Sequence, residues 1–251
     1  MKIFLVQVPT SHLGAGERVY PLGLARLSAL IGAEHETSGL DMNLNADPWP
    51  ELKSGLEALQ PDLVVFSFRN IDPLAGHQTS YLSSLRTAAK MARALVPHAV
   101  LVVGGPAFNI FPARLMHEIP EIDYGLKGEG ERAFPAMLSA FSNISRVPGV
   151  LFRKEGTVEA NPGGPPVLAD EIAEMDTQLF RPSDYLAGNR YVACMGIEGK
   201  RGCDLKCAYC VYPSISGSRS RLRDPVRIVD EMENLNKTYG ADLFHFTDAV
   251  V

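Results

Sequence analysis

The chain has 251 residues, of which 46% are hydrophobic, and its 24 basic and 29 acidic side chains give a formal net charge of −5. This composition is typical of a folded globular protein and excludes intrinsic disorder. The acidic balance argues against nucleic-acid binding, which relies on basic surfaces. An apolar run after Lys2 stops at Pro9, too short for a membrane span and without a signal-peptide cleavage site. We therefore expect a cytoplasmic protein with no nucleic-acid or membrane partner.

Strand-like and helical patterns alternate over the first 145 residues. Strands are predicted at 1–8, 35–44, 62–68, 99–103 and 122–126, and helices at 22–31, 81–96 and 132–140. Strands that are separated by helices pair in parallel through right-handed crossovers, with helices on both faces of the sheet. The pattern therefore predicts a doubly wound α/β domain of the flavodoxin-like (Rossmann-like) type over residues 1–145.

A different pattern follows this domain. The segment 147–158 predicts a hairpin that turns at 154–156. The NPGGPP run at 161–166 predicts a linker, because neither a helix nor a central strand accommodates such a run. We therefore expect residues 146–190 to be a hairpin and linker between two domains.

The last segment, 191–251, begins a second strand-helix-strand pattern. Its elements are a strand at 191–195, a helix that opens at Asp224-Pro225, and a strand at 241–247. We expect it to be the start of a second α/β domain.

Three of the four cysteines, Cys203, Cys207 and Cys210, lie within eight residues in a C-x3-C-x2-C spacing. A disulfide framework would spread cysteines along the chain, so a metal or redox site in a reducing compartment is favoured. Three thiolates on one loop are suitable ligands for three irons of a [4Fe–4S] cluster, which leaves one iron open. A zinc knuckle with a distant fourth ligand is the alternative. Cys194 is a further ligand or a buried structural thiol.

The cysteine loop (residues 203–210) follows a predicted strand and carries Tyr209 before its last cysteine. It resembles the cluster loop of the radical S-adenosylmethionine (SAM) superfamily. The resemblance implies that the three cysteines bind a [4Fe–4S] cluster, that SAM chelates the open iron, and that Tyr209 lies at this site. It also implies that residues 191–251 begin a partial (β/α) barrel. Such a barrel needs on the order of 200 residues, so we expect the chain to be truncated.

Small and polar residues follow the predicted parallel strands. Ligand sites of open parallel sheets lie beyond the carboxyl ends of the strands, and glycine pairs let the backbone approach a large ligand. We therefore expect cofactor contacts from Thr10, Asp41, Ser67, Arg69, Asn70, Gly104, Gly105, Pro106, Ala107, Gly128, Glu129 and Gly130. Taken alone, a Gly-Gly pair after a strand is often only a turn. Glu129 either accepts a hydrogen bond from a cofactor hydroxyl or caps the next helix.

Together with the cysteine loop, the segments VVGGPAFN (102–109) and YGLKGEGE (124–131) resemble the cobalamin-binding branch of the radical SAM superfamily. The resemblance implies that residues 1–145 hold cobalamin over the strand ends. Many corrinoid proteins supply a lower axial histidine from an Asp-x-His-x-x-Gly motif, which this sequence lacks.

Arg69 follows the third predicted strand and has two interpretations. It either forms a salt bridge or a phosphate contact, or it lies below the corrin ring. In the second position, a cation without a lone pair would keep cobalt low-coordinate and tune methyl transfer.

The stretch FSFRNIDPLAGHQ (66–78), with the cysteine loop, is similar to the tryptophan 2-C-methyltransferases of thiopeptide antibiotic biosynthesis. This resemblance implies methylation of the tryptophan indole at C2 through methylcobalamin, which SAM regenerates by heterolytic, non-radical transfer. It also implies an electron donor that reduces the cluster and cobalt. Two alternatives stay open: a radical-generating cobalamin-dependent methylase of an unactivated carbon, and a non-catalytic corrinoid-binding or metal-binding module.

Two further features also have two interpretations each. Asp248, near the end of the last predicted strand, either faces the SAM site or caps the next helix. The basic run Arg219, Arg221, Arg223 and Arg227 either touches SAM or a cofactor phosphate, or is a solvated loop with salt bridges between domains.

Overall fold

Five segments of the first half form parallel strands at the predicted places. The computed structural model describes residues 1–10, 18–72, 80–187 and 195–249. The strands are β1 (Lys2–Gln7), β2 (Glu36–Asp41), β3 (Leu63–Ser67), β4 (Val100–Gly104) and β5 (Tyr124–Leu126). Their order in the sheet is β2-β1-β3-β4-β5, which is the flavodoxin-like order with its switch point between β1 and β3. The predicted fold class is confirmed.

Helices cover both faces of this sheet. They are α1 (Leu22–Ile31), α2 (Trp49–Leu59), α3 (Leu82–Leu95), α4 (Pro106–Ile110), α5 (Pro112–Glu118) and α6 (Gly130–Ser139). The sequence patterns did not predict α2, α4 and α5. Each of these three has a proline in its first two positions, where the fixed φ of proline favours a helix start.

Side chains of the strands alternate between two hydrophobic cores. Phe4 and Val6 pack with residues of α2, α3 and α5. Ile3 and Leu5 pack on the other face with residues of α1 and α6. Because successive side chains of a strand point to opposite faces, one nearly continuous apolar run supplies both cores.

The predicted hairpin forms from β6 (Val150–Lys154) and β7 (Thr157–Ala160). Glu155 and Gly156 have φ values of 49° and 81°, and a two-residue turn of type I′ requires positive φ at both positions. β6 pairs antiparallel with β5, so the hairpin extends the main sheet to the order β2-β1-β3-β4-β5-β6-β7. A segment expected between two domains thus forms the edge of the first domain's sheet.

The C-terminal segment contains a strand-helix-strand unit. β8 (Met195–Ile197) and β11 (Phe244–Phe246) pair in parallel, and α8 (Pro225–Tyr239) connects them. The predicted helix start is confirmed, because the Asp224 carboxylate accepts a hydrogen bond from the Val226 N–H at 2.9 Å. Most of the strand predicted at 191–195 lies outside the described residues.

Two short strands and one short helix flank the cysteine loop. β9 (Lys200–Arg201) precedes the loop, α7 (Tyr212–Ser216) follows it, and β10 (Arg221–Leu222) pairs antiparallel with β9. Met195, Ile197 and Leu235 of the C-terminal segment belong to the same hydrophobic core as Ile3 and Leu5 of β1. The two parts of the chain therefore pack against each other through a shared core.

Over the ranges that the structure covers, no helix combines the length and the apolar character that are needed to cross a membrane.

Candidate functional site

A cavity of about 660 Å³ lies at the carboxyl edge of the parallel sheet. One wall is formed by residues that follow β1, β3 and β4: Thr10, Arg69, Asn70, Pro106 and Ala107. The opposite wall comes from the C-terminal segment and includes Gly196, Glu198, Arg201, Tyr212, Ser216 and Thr247. The cavity is thus shared between the flavodoxin-like sheet and the elements that flank the cysteine loop.

A second cavity, of about 220 Å³, extends between the ends of β3, β4 and β5. Its walls are largely apolar and include Leu27, Val65 and Leu126. Ser67, Pro106, Arg201 and Ser216 line both cavities, so the two cavities adjoin.

Glycines set the shape of the second cavity. Gly105 has a φ of 105°, and a Cβ at this position would lie 2.7 Å from the Phe68 carbonyl oxygen. Only glycine fits such a turn without strain. Gly128 also has positive φ, at 96°, and its N–H donates a hydrogen bond to the Asn109 Oδ1 at 2.8 Å. These contacts hold the two glycine turns open toward the cavity.

Most of the sequence-predicted strand-end residues line these cavities. Thr10, Ser67, Arg69, Asn70, Pro106 and Ala107 line the first, and Ser67, Gly104, Gly105, Pro106, Gly128, Glu129 and Gly130 line the second. Asp41, Tyr209 and Asp248 line neither cavity.

Arg69 lies on the wall of the first cavity. Within the described part of the chain its guanidinium makes no hydrogen bond and no ion pair, so the salt bridge considered for it is not found there. Burial lowers the pKa of Arg69, whereas the nearby Tyr212 and Asp41 raise it. Arginine stays charged after such a shift, which leaves a fixed cation facing the cavity.

Asp41 is buried, and a hydrogen bond joins it to Tyr185 of the connection between the two domains. Its carboxylate accepts a hydrogen bond from the Tyr185 hydroxyl at 2.9 Å and two from Asn43, at 2.9 Å from the backbone N–H and 2.7 Å from the side-chain amide. Burial raises the pKa of Asp41, and these hydrogen bonds oppose that increase. Direct cofactor contact was expected from the sequence, but all of its hydrogen bonds here go to protein groups.

Asn43, which the sequence patterns did not single out, connects Asp41 to the cavity wall through hydrogen bonds. Its Oδ1 accepts a hydrogen bond from the Thr10 N–H at 2.7 Å. The Asn70 side-chain amide then donates to the Thr10 carbonyl at 3.1 Å. The Asn43 N–H donates to the Asp41 side chain two residues earlier, which forms an Asx turn. The Asp-x-Asn spacing is a local sequence sign of this turn.

The cysteine loop presents three free thiols. Cys203 is buried, Cys210 is partly exposed and Cys207 is exposed. The Cys203 N–H donates to the Gly217 carbonyl at 3.1 Å, which ties the beginning of the loop to the end of α7. Among the residues that the structure describes, no three Cys, His, Asp or Glu side chains converge on one metal-ion position. The donor type still suits an iron–sulfur cluster, because each of its irons takes a different thiolate and the three sulfur atoms need not meet at one point. Cys194 lies outside the described residues.

Neither Tyr209 nor Asp248, for which cofactor contacts were considered, lines a cavity. The Tyr209 side chain is 90% exposed, and Tyr212, three residues later, lines the first cavity instead. One oxygen of the Asp248 carboxylate accepts hydrogen bonds from the backbone N–H groups of Gly199 and Lys200, at 2.9 and 3.2 Å. Asp248 therefore fixes the turn between β8 and β9.

Glu129 occupies the N-cap position of α6, but its side chain makes no capping hydrogen bond. Its carboxylate pairs with the Arg221 guanidinium at 2.5 and 2.8 Å and also accepts from the Val167 N–H at 2.7 Å. Arg223 pairs with Glu231 at 2.7 Å. The prediction of salt bridges between domains is confirmed for Arg221, whereas Arg223 pairs within the C-terminal segment and is buried.

Comparison with protein families gives one match that covers half of the chain. The family model of the B12 binding domain matches residues 13–138. An uncharacterized methyltransferase, PH0819, of Pyrococcus horikoshii is 28% identical in an alignment of 257 residues that covers 99% of this chain and 53% of that protein. The 2-(S-pantetheinyl)-carbapenam-3-carboxylate methyltransferase of Streptantibioticus cattleyicolor is 29% identical in an alignment of 255 residues that covers 92% of this chain and 35% of that protein. The chain spans about half of the first relative and about a third of the second.

Solved structures of TsrM from Kitasatospora setae share the fold. The complex of this radical SAM methyltransferase with tryptophan and a SAM analogue has a TM-score of 0.78 at 24% identity, and it covers 99% of this chain and 47% of TsrM. The structure with cobalamin and a [4Fe–4S] cluster bound has a TM-score of 0.76 at 25% identity, with the same coverage. The similarity extends from the flavodoxin-like sheet into the segment that carries the cysteine loop.

Proposed function

The chain belongs to the B12 binding domain family, and we propose that it forms the cobalamin-binding domain and the beginning of the catalytic barrel of a cobalamin-dependent radical SAM methyltransferase. The observation that carries this proposal is the first cavity. Residues that follow the parallel strands line one wall, and residues next to the cysteine loop line the other. Such a position would place a corrinoid and a cluster-bound ligand in one space.

In this proposal, residues 1–145 with the hairpin form the cobalamin-binding domain, the connection runs to residue 190, and residues 191–251 begin the barrel. The residues that line the first cavity would contact the corrin ring. The adjoining apolar cavity, with its turn at Gly105, would hold the nucleotide tail.

Cys203, Cys207 and Cys210 would bind the cluster, and SAM would occupy its open iron next to Gly196 and Thr247. When bound, the corrinoid supplies a carrier for the methyl group between SAM and the substrate. Tyr209 and Asp248 would then act as neighbours of the cysteine loop, since neither faces a cavity.

We assign Arg69 to the lower face of the corrin. A guanidinium has no lone pair to donate to a metal, and Arg69 lines the first cavity without an ion-pair partner among the described residues. An Arg69→Leu variant is expected to bind cobalamin with an altered visible spectrum, whereas Arg153→Leu, on the hairpin far from both cavities, is the matched control. Unchanged spectra for both variants would remove this assignment.

The narrower proposal concerns the substrate. Tryptophan, methylated at C2 of the indole by heterolytic transfer, is supported by the tryptophan bound in TsrM and by the cation at Arg69 in place of a lower histidine. A role in thiopeptide antibiotic biosynthesis would follow. The alternative is a radical-generating methylase of an unactivated carbon. The 29% identity to a carbapenam methyltransferase supports a substrate other than tryptophan.

An anaerobic assay separates these proposals. We expect the reconstituted chain to contain about four irons and one cobalt. A full-length protein that carries a complete barrel is expected to convert tryptophan to a methylated product in the presence of SAM and a reductant. Release of 5′-deoxyadenosine in step with product would favour the radical alternative. Bound zinc without iron or cobalt would overturn both and identify a non-catalytic metal-binding module.

A further inference from the structure

The two strands that flank the cysteine loop carry a pair of opposed arginines. Arg201 of β9 and Arg221 of β10 are direct partners in the antiparallel register. The ribbon β9–β10 is therefore the base from which the cysteine loop projects. Both arginine side chains point across to the cobalamin-binding domain.

Each arginine pairs with one of two glutamates in the turn that opens α6. Arg221 binds Glu129 through both guanidinium nitrogens, at 2.5 and 2.8 Å, and Arg201 binds Glu131. Only Gly130 separates the two glutamates, and a Cβ on Gly130 would approach Leu27 of α1 to 3.1 Å. Two adjacent salt bridges thus connect one turn to one ribbon, and together they are called the Glu–Arg clamp below.

The clamp is buried. The four side chains keep between 9% and 16% of their surface exposed. Although burial alone would raise the pKa of Glu131, Arg201 and its hydrogen bond lower it below the usual range. Arg221 also donates to the carbonyls of Val167 and Ser216. Buried ion pairs require such complete partnering, and loss of one partner leaves an uncompensated charge.

Further ion pairs extend the clamp to α1 and α8. Glu198 binds Arg201 at 2.7 Å, and Arg26 of α1 contacts Glu198 at 3.6 Å and Glu231 of α8 at 3.3 Å. Arg223 completes the set with Glu231. Arg201 and Glu198 also line both cavities, so the clamp stands at the boundary where the two cavities adjoin.

We infer that the Glu–Arg clamp positions the cysteine loop over the first cavity by fixing the β9–β10 ribbon to the turn 128–131 of the other domain. Hydrophobic packing is non-directional. Two adjacent ion pairs, one of them bidentate, fix both the distance between the ribbon and the turn and the rotation of one relative to the other. Glu129, Glu131, Arg201 and Arg221 act here as positioning residues, because their charged groups pair with each other across the junction. The inference rests on the proposed function only where it names the cofactors.

Hydrogen–deuterium exchange of the full chain without cofactors tests the clamp independently of the proposed function. In a Glu131→Gln variant, we expect amides of 128–131 and of 200–203 to exchange about tenfold faster, because coupled contacts open together. Arg114→Gln, which removes an exposed pair within α5, is the control and should leave both segments unchanged. Unchanged exchange in Glu131→Gln, or faster exchange in only one segment, would overturn the inference.

A double-mutant cycle distinguishes loss of the clamp from general destabilisation of the fold. Glu129→Gln and Arg221→Gln each leave one buried charge alone, so the double variant should exchange no faster than the worse single variant. Additive effects would show that the two residues act separately and would contradict the clamp.

Spectroscopy of the loaded protein then tests positioning. Relaxation of the Co(II) electron spin depends on its distance from the reduced cluster, so Glu131→Gln should change the power saturation of the cobalt signal when it is compared with the parent protein at matched cobalt and iron contents. An unchanged saturation curve would overturn the positioning role. Absence of cobalt and iron from the parent protein would instead overturn the proposed function and leave the exchange result standing.

Discussion

The parallel sheet and the junction between the two domains are both buried, but opposite kinds of side chain build them. The sheet core consists of aliphatic and aromatic residues such as Phe66, Leu101 and Val103. The junction contains the buried arginines Arg26 and Arg223 with their glutamates. An apolar core tolerates many arrangements of the same volume, whereas buried charges tolerate only the arrangement that pairs them. We therefore expect the sheet to supply stability and the junction to supply orientation.

The largest effect is expected in the sheet core. Phe66 of β3 is completely buried, and Phe66→Ala should lower the free energy of unfolding by about 3–5 kcal/mol, because a cavity remains where the ring was. Urea unfolding followed by circular dichroism measures the loss. Leu222→Ala, at a site 72% exposed, is the control, and a comparable loss there would contradict the assigned core.

Removal of a buried charge at the junction between the domains should lower the free energy of unfolding nearly as much as Phe66→Ala does, but for a different reason. Arg26→Met should lower the free energy of unfolding by about 3 kcal/mol, since Glu231 loses one of its two buried cationic partners. Added salt should not reproduce this loss in the parent protein, because screening acts weakly on buried pairs. If Arg26→Met instead leaves urea unfolding unchanged, the junction contributes no stability through this pair.

A smaller effect is expected at the glycine turn that lines the second cavity. Gly105→Ala should lower the free energy of unfolding by about 1–3 kcal/mol, because alanine at positive φ is strained and its Cβ collides with the Phe68 carbonyl. Cobalamin affinity should fall with it. Gly163→Ala, where no atom lies within 4 Å of a Cβ, is the control. Full cobalamin affinity in Gly105→Ala would contradict the cavity assignment.

The smallest effect concerns the hydrogen bond between the connection and the sheet. Tyr185→Phe removes the donor to Asp41 and should lower the free energy of unfolding by about 1 kcal/mol. It should also raise the pKa of Asp41 further, because that hydrogen bond favours the carboxylate. NMR titration of the Asp41 carboxyl carbon measures the shift, and a lowered pKa would contradict the geometry.

The pH dependence follows from the direction of the Asp41 shift. Burial raises the folded-state pKa above the unfolded one, so the folded state binds more protons between the two values, and stability falls as pH rises through that window. An Asp41→Asn variant should lack this fall. Equal pH dependence of the two proteins in urea unfolding would show that Asp41 is not responsible.

The sequence predicted the elements whose pattern is strong. Apolar runs identified the parallel strands, and the periodicity of α3 and the Asp224-Pro225 start of α8 identified two helices. It missed α4 and α5 because both are too short for a periodic pattern to develop. It also did not show that the hairpin joins β5, since pairing between separate elements leaves no local signal.

The candidate site also has a part that the sequence predicted and a part that it did not. Glycines and polar residues after strands were predictable, because chain position alone brings strand ends to one edge of a parallel sheet. The neighbours of Glu129 and Asp41 were not predictable, because Arg221 and Tyr185 lie 92 and 144 residues further along the chain.

The amino-acid sequence by itself determined the strands, the glycine turns and the spacing of the three cysteines, because each depends on near neighbours in the chain. Only the tertiary structure decided which acid pairs with which arginine, that Tyr212 and not Tyr209 lines the cavity, and where the cysteine loop stands relative to the sheet. These outcomes depend on contacts between distant segments, where desolvated charges and shared core residues allow one arrangement.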